Sequence, residues 1–170
     1  MICWPIRSFT PDAPNAVTTI EALITIFKAA VHQGTETDYT AEQQHAWAPE
    51  TIDRQQWYVR LEINPTWIAY TLDHQPIGFI ELAIDTTQDP PAGHIDMLYV
   101  RPDFHRQGIA RALLTQAETY AHQHSCATLT TEASITARPF FEHAGFQVIC
   151  EQTVHRHGQS LINYRMHKVI

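Results

Sequence analysis

The stretch His94-Ile-Asp-Met-Leu-Tyr-Val-Arg-Pro-Asp-Phe-His-Arg-Gln-Gly-Ile-Ala-Arg-Ala-Leu-Leu114 decides the fold. Its first part, Ile95 to Val100, is an alternating apolar run and predicts a strand. Arg101 to Gln107 follow as a short loop carrying a proline and basic side chains. Gly108 then opens a helix whose apolar positions Ile109, Leu113 and Ala117 recur every four residues. A strand feeding a glycine turn at a helix start makes an anion pocket, because unpaired backbone N–H groups point outward there and the helix dipole adds positive charge. Gly108 lacks a Cβ, so a phosphate can approach its main chain closely.

The residues of the turn narrow the choice of anion. A P-loop ends in glycine-lysine-Ser/Thr, which is absent, and a dinucleotide fingerprint needs three spaced glycines where only Gly108 stands. Leu98, Tyr99, Val100, Pro102, His105, Gly108 and Ala110 instead resemble the signature of the GNAT superfamily of acetyl-CoA-dependent N-acetyltransferases. Two positions depart from it: His105 stands where the family usually has Gln or Arg, and Arg106 where many members have glycine. Neither departure removes backbone donors, and Arg106 and Arg111 can add charge toward pyrophosphate or ribose phosphate.

A second block lies downstream. Ala137-Arg-Pro-Phe-Phe-Glu-His-Ala-Gly-Phe146 resembles the GNAT segment in which a helix ends at glycine and a strand starts with phenylalanine. Gly145 suits a left-handed C-cap, and Phe140, Phe141 and Phe146 suit a core equally well. The order of the two blocks disfavours an unrelated phosphate-binding α/β domain. A closer resemblance is to small bacterial acetyltransferases of the YafP type, carried by Ile95 to Val100, Glu132 to Ala137, Pro139 to Glu142, and Asn163-Tyr164.

That resemblance implies a single α/β domain over residues 1–170, with a mixed, mostly antiparallel sheet of about six to seven strands flanked by helices and a V-shaped cofactor cleft. It implies acetyl transfer from acetyl-CoA to a primary amine by direct attack in a ternary complex, with no metal. Leu98, Tyr99 and Val100 would bind pantetheine, and an N–H near them would polarise the thioester carbonyl. His105, Arg106, Gln107, Gly108, Ile109, Ala110 and Arg111 would hold the pyrophosphate, with Ser134, Phe140 and Phe141 along the same cleft.

Composition sets the outer limits. The chain has 170 residues, 44% hydrophobic, with ten prolines, which is large enough for a real core and points to one globular domain. A net charge of −7 without a Lys/Arg run disfavours nucleic acid, since phosphate neutralisation drives that binding. It favours a cationic small-molecule amine or basic peptide as acceptor. Cys3, Cys126 and Cys150 are odd in number, widely spaced and without zinc or redox spacing, so they read as buried free thiols in a reducing cytoplasm. Met1 to Asp12 lacks the pattern of a signal peptide and no apolar run reaches membrane-spanning length, so no membrane partner is expected. A monomer or homodimer is expected. The pairs His122/His124 and His155/His157 have metal-ligand spacing only if they lie on strands, and further ligands are missing.

Along the chain, Ile2 to Phe9 suits a first strand, and Val17, Ile20, Leu23, Ile24, Phe27 and Val31 form a helical stripe. Tyr39 to Trp47 reads as a short helix capped by Thr40 and stopped by Pro49, and Asp53 to Glu62 as another. Trp67 to Leu72 and Ile77 to Ile84 read as a hairpin. After the signature strand and helix come a strand over Thr128–Glu132, a helix over Ala137–His143, and strands Gln147–His155 and Ser160–His167 turning at His157-Gly158.

Chemistry constrains the catalytic roles. A lysine-like amine with pKa about 10.4 must lose a proton at pH 7, costing roughly 4–5 kcal/mol at about 1.36 kcal/mol per pH unit. Strict alternation puts His94, Asp96, Leu98 and Val100 on one strand face. There His94 and Asp96 resemble positions where some GNAT members carry a catalytic His-x-His or Glu; the alternative is a solvent-facing His94 and a loop-anchoring Asp96. Protonating a cysteine-like thiolate is worth only roughly 2 kcal/mol. Many GNAT enzymes place a tyrosine acid where this chain has Phe141, leaving Tyr99, Tyr164 or water as substitutes. Its absence keeps open a second reading, a CoA-binding sensor or interaction module without turnover. Glu132 can orient the amine. Ser134 can bond pantetheine or cap the next helix. Tyr39, Trp47, Trp57 and Tyr58 suit either aromatic acceptor walls or core packing.

Overall fold

Local chemistry sets the element ends. Thr40 accepts from the Gln43 amide while the Gln43 side chain answers the Thr40 N–H, and Asp53 accepts from the amides of Gln55 and Gln56. Gly145 leaves the last short helix at a φ of 93°, the left-handed stop its position demands. The structure, a computed structural model, describes residues 4–170. In chain order it comprises β1 (Ile6–Ser8), α1 (Ala16–Gly34), α2 (Ala41–Trp47), α3 (Arg54–Ile63), β2 (Thr66–Tyr70) and β3 (Pro76–Asp85). Then come β4 (Ala92–Val100), a 3₁₀ turn (Pro102–Phe104), α4 (Ile109–Gln123), β5 (Thr128–Ser134), α5 (Arg138–His143), β6 (Gln147–Arg156) and β7 (Gln159–Val169). The start of the expected first strand, and Cys3, lie outside the described residues.

Seven strands form one sheet in the order β1-β2-β3-β4-β5-β7-β6. Every neighbouring pair is antiparallel except β4 and β5. One face carries α4 and α5, with Leu113, Leu114 and Ala117 buried against Ile80, Leu82, Ile95 and Val100. The other carries α1 and α3, where Leu23, Phe27, Trp57 and Leu61 bury Ile68, Phe79 and Met97. Val17, expected on the buried stripe of α1, is 63% exposed because it sits in the first turn, on the side away from the sheet. Cys126 is buried as expected but Cys150, on β6 at the sheet's open edge, is exposed. No helix among the described residues is long and apolar enough to cross a membrane.

Two irregularities in β4 build the site. First, its pairing with β3 slips by one residue: Glu81 faces Met97 while Leu82 faces Ile95, so Asp96 is left over as a bulge. A bulge reverses the alternation. Leu98 and Val100 therefore pack on the α4 face with Ile95, whereas Met97 and Tyr99 pack on the α1 face. This corrects the strict alternation: His94 and Asp96 do not share a face with Leu98 and Val100. Second, β4 and β5 pair only from Ala92–Ile95 against Thr128–Thr131. Beyond that point β4 stays with β3 and β5 stays with β7, and a fork opens between them.

Candidate active site

The fork opens into a cleft of about 550 Å³ lined by Leu98, Val100, Gly108, Ala110, Glu132 and Phe140 among others. Its β4 wall offers backbone donors. The Arg101 N–H is spent on the Ile77 carbonyl of β3, and antiparallel alternation then turns the amides of Leu98 and Val100 toward the open side. The strand end is tied to the turn by His105, whose Nε2 donates to the Val100 carbonyl at 3.0 Å. Arg101 is held by Asp103 and lies 5.0 Å over Phe104.

Gly108 caps α4 at a φ of 82° and Arg106 precedes it at 59°. No side chain caps this helix and its first turn holds no acidic residue, so its leading amides face the cleft unanswered. A Cβ at Gly108 would meet nothing within 4 Å, so conformation and access, not crowding, require glycine there. Arg106, Ile109 and Arg111 also line the cleft; Gln107 does not, its carbonyl accepting from the Trp4 indole. Ser134 lines it as well, while its Oγ accepts from the Ala137 amide and so caps the turn before α5. Phe141 is buried between Phe140 and Phe146 at 5.3 and 5.1 Å, a wall of the cleft and part of the core.

At the fork itself stand His94, Asp96 and Glu132. The His94 Nδ1 lies 2.9 Å from Thr130 Oγ1, and its Nε2 lies 3.8 Å from Asp96 Oδ1. Burial holds the His94 pKa below the usual histidine value; Glu132 pulls it up and Arg60 pushes it down. Burial thus favours the neutral imidazole. Asp96 and Glu132 line the cleft, with His94 just outside it. Asp96 is also gripped by Arg60 of α3, whose Nε meets Glu81 Oε2 at 2.6 Å. Asn64 donates to the other Glu81 oxygen at 2.6 Å, and burial pushes the fully enclosed Glu81 carboxyl up. A carboxylate matched to a guanidinium is a weak base, so the grip of Arg60 weakens Asp96 as a proton acceptor. Arg60, Glu81 and Thr130 carried no motif, and pairing across strands and α3 alone brings them here.

The remaining expected residues separate. Tyr99 lines the cleft, but burial pushes its phenol up to about 12. That is too weak an acid to serve a thiolate near 8.5. Tyr164 lies away from the cleft, its hydroxyl donating to Glu151 and its ring under Arg138. Trp47 lines the cleft beside Tyr99. Tyr39 does not: its hydroxyl donates to Ile162 and accepts from Ile135, stitching the loop before α2 to β7. Trp57 corrects the acceptor-wall expectation, being buried between Phe27 and Phe79. Among the described residues no group of three or more histidine, cysteine or acidic side chains is arranged to hold a metal. His122 and His124 end a helix, and His157 is spent on the Ala46 carbonyl.

Residues 35–168 match the family model described as an acetyltransferase (GNAT) domain. The chain belongs to the GNAT acetyltransferase family. It is 36% identical over 161 residues to the uncharacterized N-acetyltransferase YafP of Escherichia coli K12, covering 95% of this chain and 93% of that one. A GCN5-related N-acetyltransferase of Rhodopseudomonas palustris superposes with a TM-score of 0.85 at 32% identity, covering 100% and 98% of the two chains. The PaiA N-acetyltransferase of Thermoplasma acidophilum, solved with coenzyme A, shares the GNAT fold at a TM-score of 0.77 and 19% identity, covering 99% and 100%. As a GNAT enzyme the chain is an acyltransferase.

Proposed function

We propose that this protein transfers the acetyl group of acetyl-CoA to a primary amine by direct attack at the β4–β5 fork. The observation that carries this reading is the fork, with an uncapped helix N-terminus on one side and a neutral histidine between two carboxylates on the other. The α4 amides, with Arg106 and Arg111, hold pyrophosphate. Pantetheine runs along β4, and an amide of Leu98 or Val100 stabilises the oxyanion as the carbonyl becomes tetrahedral.

Glu132 meets the incoming ammonium, and His94 takes its proton directly or through one water. The C–N bond forms, the C–S bond breaks, and the thiolate leaves to be protonated by solvent. No side chain acid is required, since a pKa near 8.5 makes that last proton worth only about 2 kcal/mol at neutral pH. The N-acetyltransferase names of the E. coli and R. palustris relatives support nitrogen as the acceptor atom. The chain's net charge of −7 supports a cationic one, and the free thiols of Cys126 and Cys150 support a cytoplasmic setting.

The test is release of free thiol from acetyl-CoA with a panel of alkyl amines, aminated sugars and lysine peptides. Turnover with at least one amine is expected. Tight acetyl-CoA binding with no thiol release from any of them would favour the sensor module instead.

A further inference from the structure

The reading above makes His94 the proton acceptor, but an imidazole accepts only at a nitrogen that carries no hydrogen. Which nitrogen that is depends on its partners. His94 and Thr130 are register partners across the one parallel pair, at its last steps before the fork. The Thr130 hydroxyl has two neighbours: the Gly93 carbonyl at 3.3 Å, which can only accept, and His94 Nδ1 at 2.9 Å. A hydroxyl has a single hydrogen. Donated to Gly93, it obliges Oγ1 to accept from Nδ1–H. The other nitrogen, Nε2, points at Asp96 Oδ1, 3.8 Å away, beyond hydrogen-bond reach.

We propose that Thr130 is a positioning residue that fixes His94 as its Nδ1–H tautomer and so keeps Nε2 open as the acceptor of the amine proton. The chain Gly93 carbonyl, Thr130 hydroxyl, His94 ring runs across the base of the fork and binds the imidazole to β5 as well as to β4. When Nε2 takes the proton, the new Nε2–H faces Asp96, which stabilises the imidazolium; Arg60 limits that gain by neutralising the same carboxylate. The groups facing His94 are therefore Asp96 from its own strand, Thr130 and Glu132 from β5, and Arg60 from α3. Behind Thr130 the β7 partner is His167, and behind Glu132 it is Arg165. Without the hydroxyl, the tautomer bearing hydrogen on Nε2 gains from closing on Asp96, and the ring turns its donor to the substrate.

This inference rests on the proposed acetyl transfer for its kinetic consequence but not for its structural one. In protein labelled with ¹⁵N-histidine, long-range ¹H–¹⁵N correlation above the His94 titration should show hydrogen on Nδ1. Thr130→Val, nearly isosteric, should move it to Nε2. The same variant should lose about tenfold or more in kcat, about 1.4 kcal/mol, with KM for acetyl-CoA unchanged. The acidic limb of its pH profile should shift to lower pH, because the imidazolium loses its Nδ1–H acceptor. Thr130→Ser should restore tautomer, rate and limb together. A wild-type His94 with hydrogen on Nε2 overturns the proposal, as does a Thr130→Val protein with wild-type tautomer and rate. If no amine is acetylated by the wild type, the functional reading fails while the tautomer measurement still decides this one.

Discussion

The two arms of the fork are built in opposite ways. The proposed cofactor arm, from Leu98 through the Gly108 turn into α4, is one continuous piece of chain that presents backbone amides. The proposed acceptor arm gathers side chains from α3, β3, β4 and β5, and holds them through partly exposed ion pairs and hydrogen bonds. Main-chain donors at a helix start do not depend on side-chain identity, and His105 and Arg106 depart from the family pattern there. A site made of side chains depends on each partner. Substitutions should therefore separate the arms: binding fails in one, turnover and stability in the other.

The largest effect is expected at Gly108. Acetyl-CoA at a hundredfold its Kd stabilises a binding protein by about 2.7 kcal/mol. Gly108→Glu, strained at a φ of 82° and bringing negative charge to the anion site, should abolish the resulting thermal shift. A folded variant with the full shift would remove the cofactor arm from the turn.

His94→Gln should cut kcat/KM by roughly 10²–10³, the span of a general base, while the acetyl-CoA thermal shift stays intact. The defect should shrink as pH approaches the amine's own pKa, where solvent removes the proton. Since burial holds the His94 pKa low, the wild-type acidic limb should lie below the usual histidine range. A limb above it would shift the role to another group.

Arg60→Met probes the packing of the acceptor arm. It strands the enclosed Glu81 carboxylate, and breaking such a pair costs about 3–5 kcal/mol when fully buried; Arg60 is 34% exposed, so the loss should fall at or below the lower end. The folded pKa of Glu81 is already raised and rises further without the guanidinium. The folded state then binds more protons than the unfolded one, so the deficit should shrink as pH falls through the raised pKa. Urea unfolding at several pH values reads this, and a deficit that grows on acidification would contradict the assigned charges.

The smallest effect is expected at Phe141. Phe141→Leu should weaken acetyl-CoA binding by well under tenfold, below about 1.4 kcal/mol, with the shape of the pH profile unchanged. Loss of the alkaline limb would mean that this position contributes to protonating the thiolate.

Periodicity and capping chemistry carried most of the fold. The Thr40 cap and the Gly145 stop are satisfied within a few residues of themselves, and the stripe of α1 shows in its spacing, so they can be read without tertiary knowledge. The Gly108 turn is legible for the same reason. Three features escaped. The bulge at Asp96 depends on how β3 pairs with β4, so the separation of His94 and Leu98 onto different faces could not be taken from alternation. Trp57 and Tyr39 have the composition of an acceptor wall, yet one fills the core and the other ties the loop before α2 to β7, a choice made only by what packs around them. Arg60, Glu81 and Thr130 lie far from His94 in the chain, and their types alone announce nothing.

By itself, then, the sequence determined the type and order of most strands and helices and that a glycine turn joins β4 to α4, because those depend on neighbouring residues. Only the tertiary structure decided how far β4 and β5 stay paired, which carboxylate is neutralised, and that the His94 ring sits between Thr130 and Asp96. Those outcomes depend on hydrogen bonds and charges exchanged between segments that meet only when the sheet has formed.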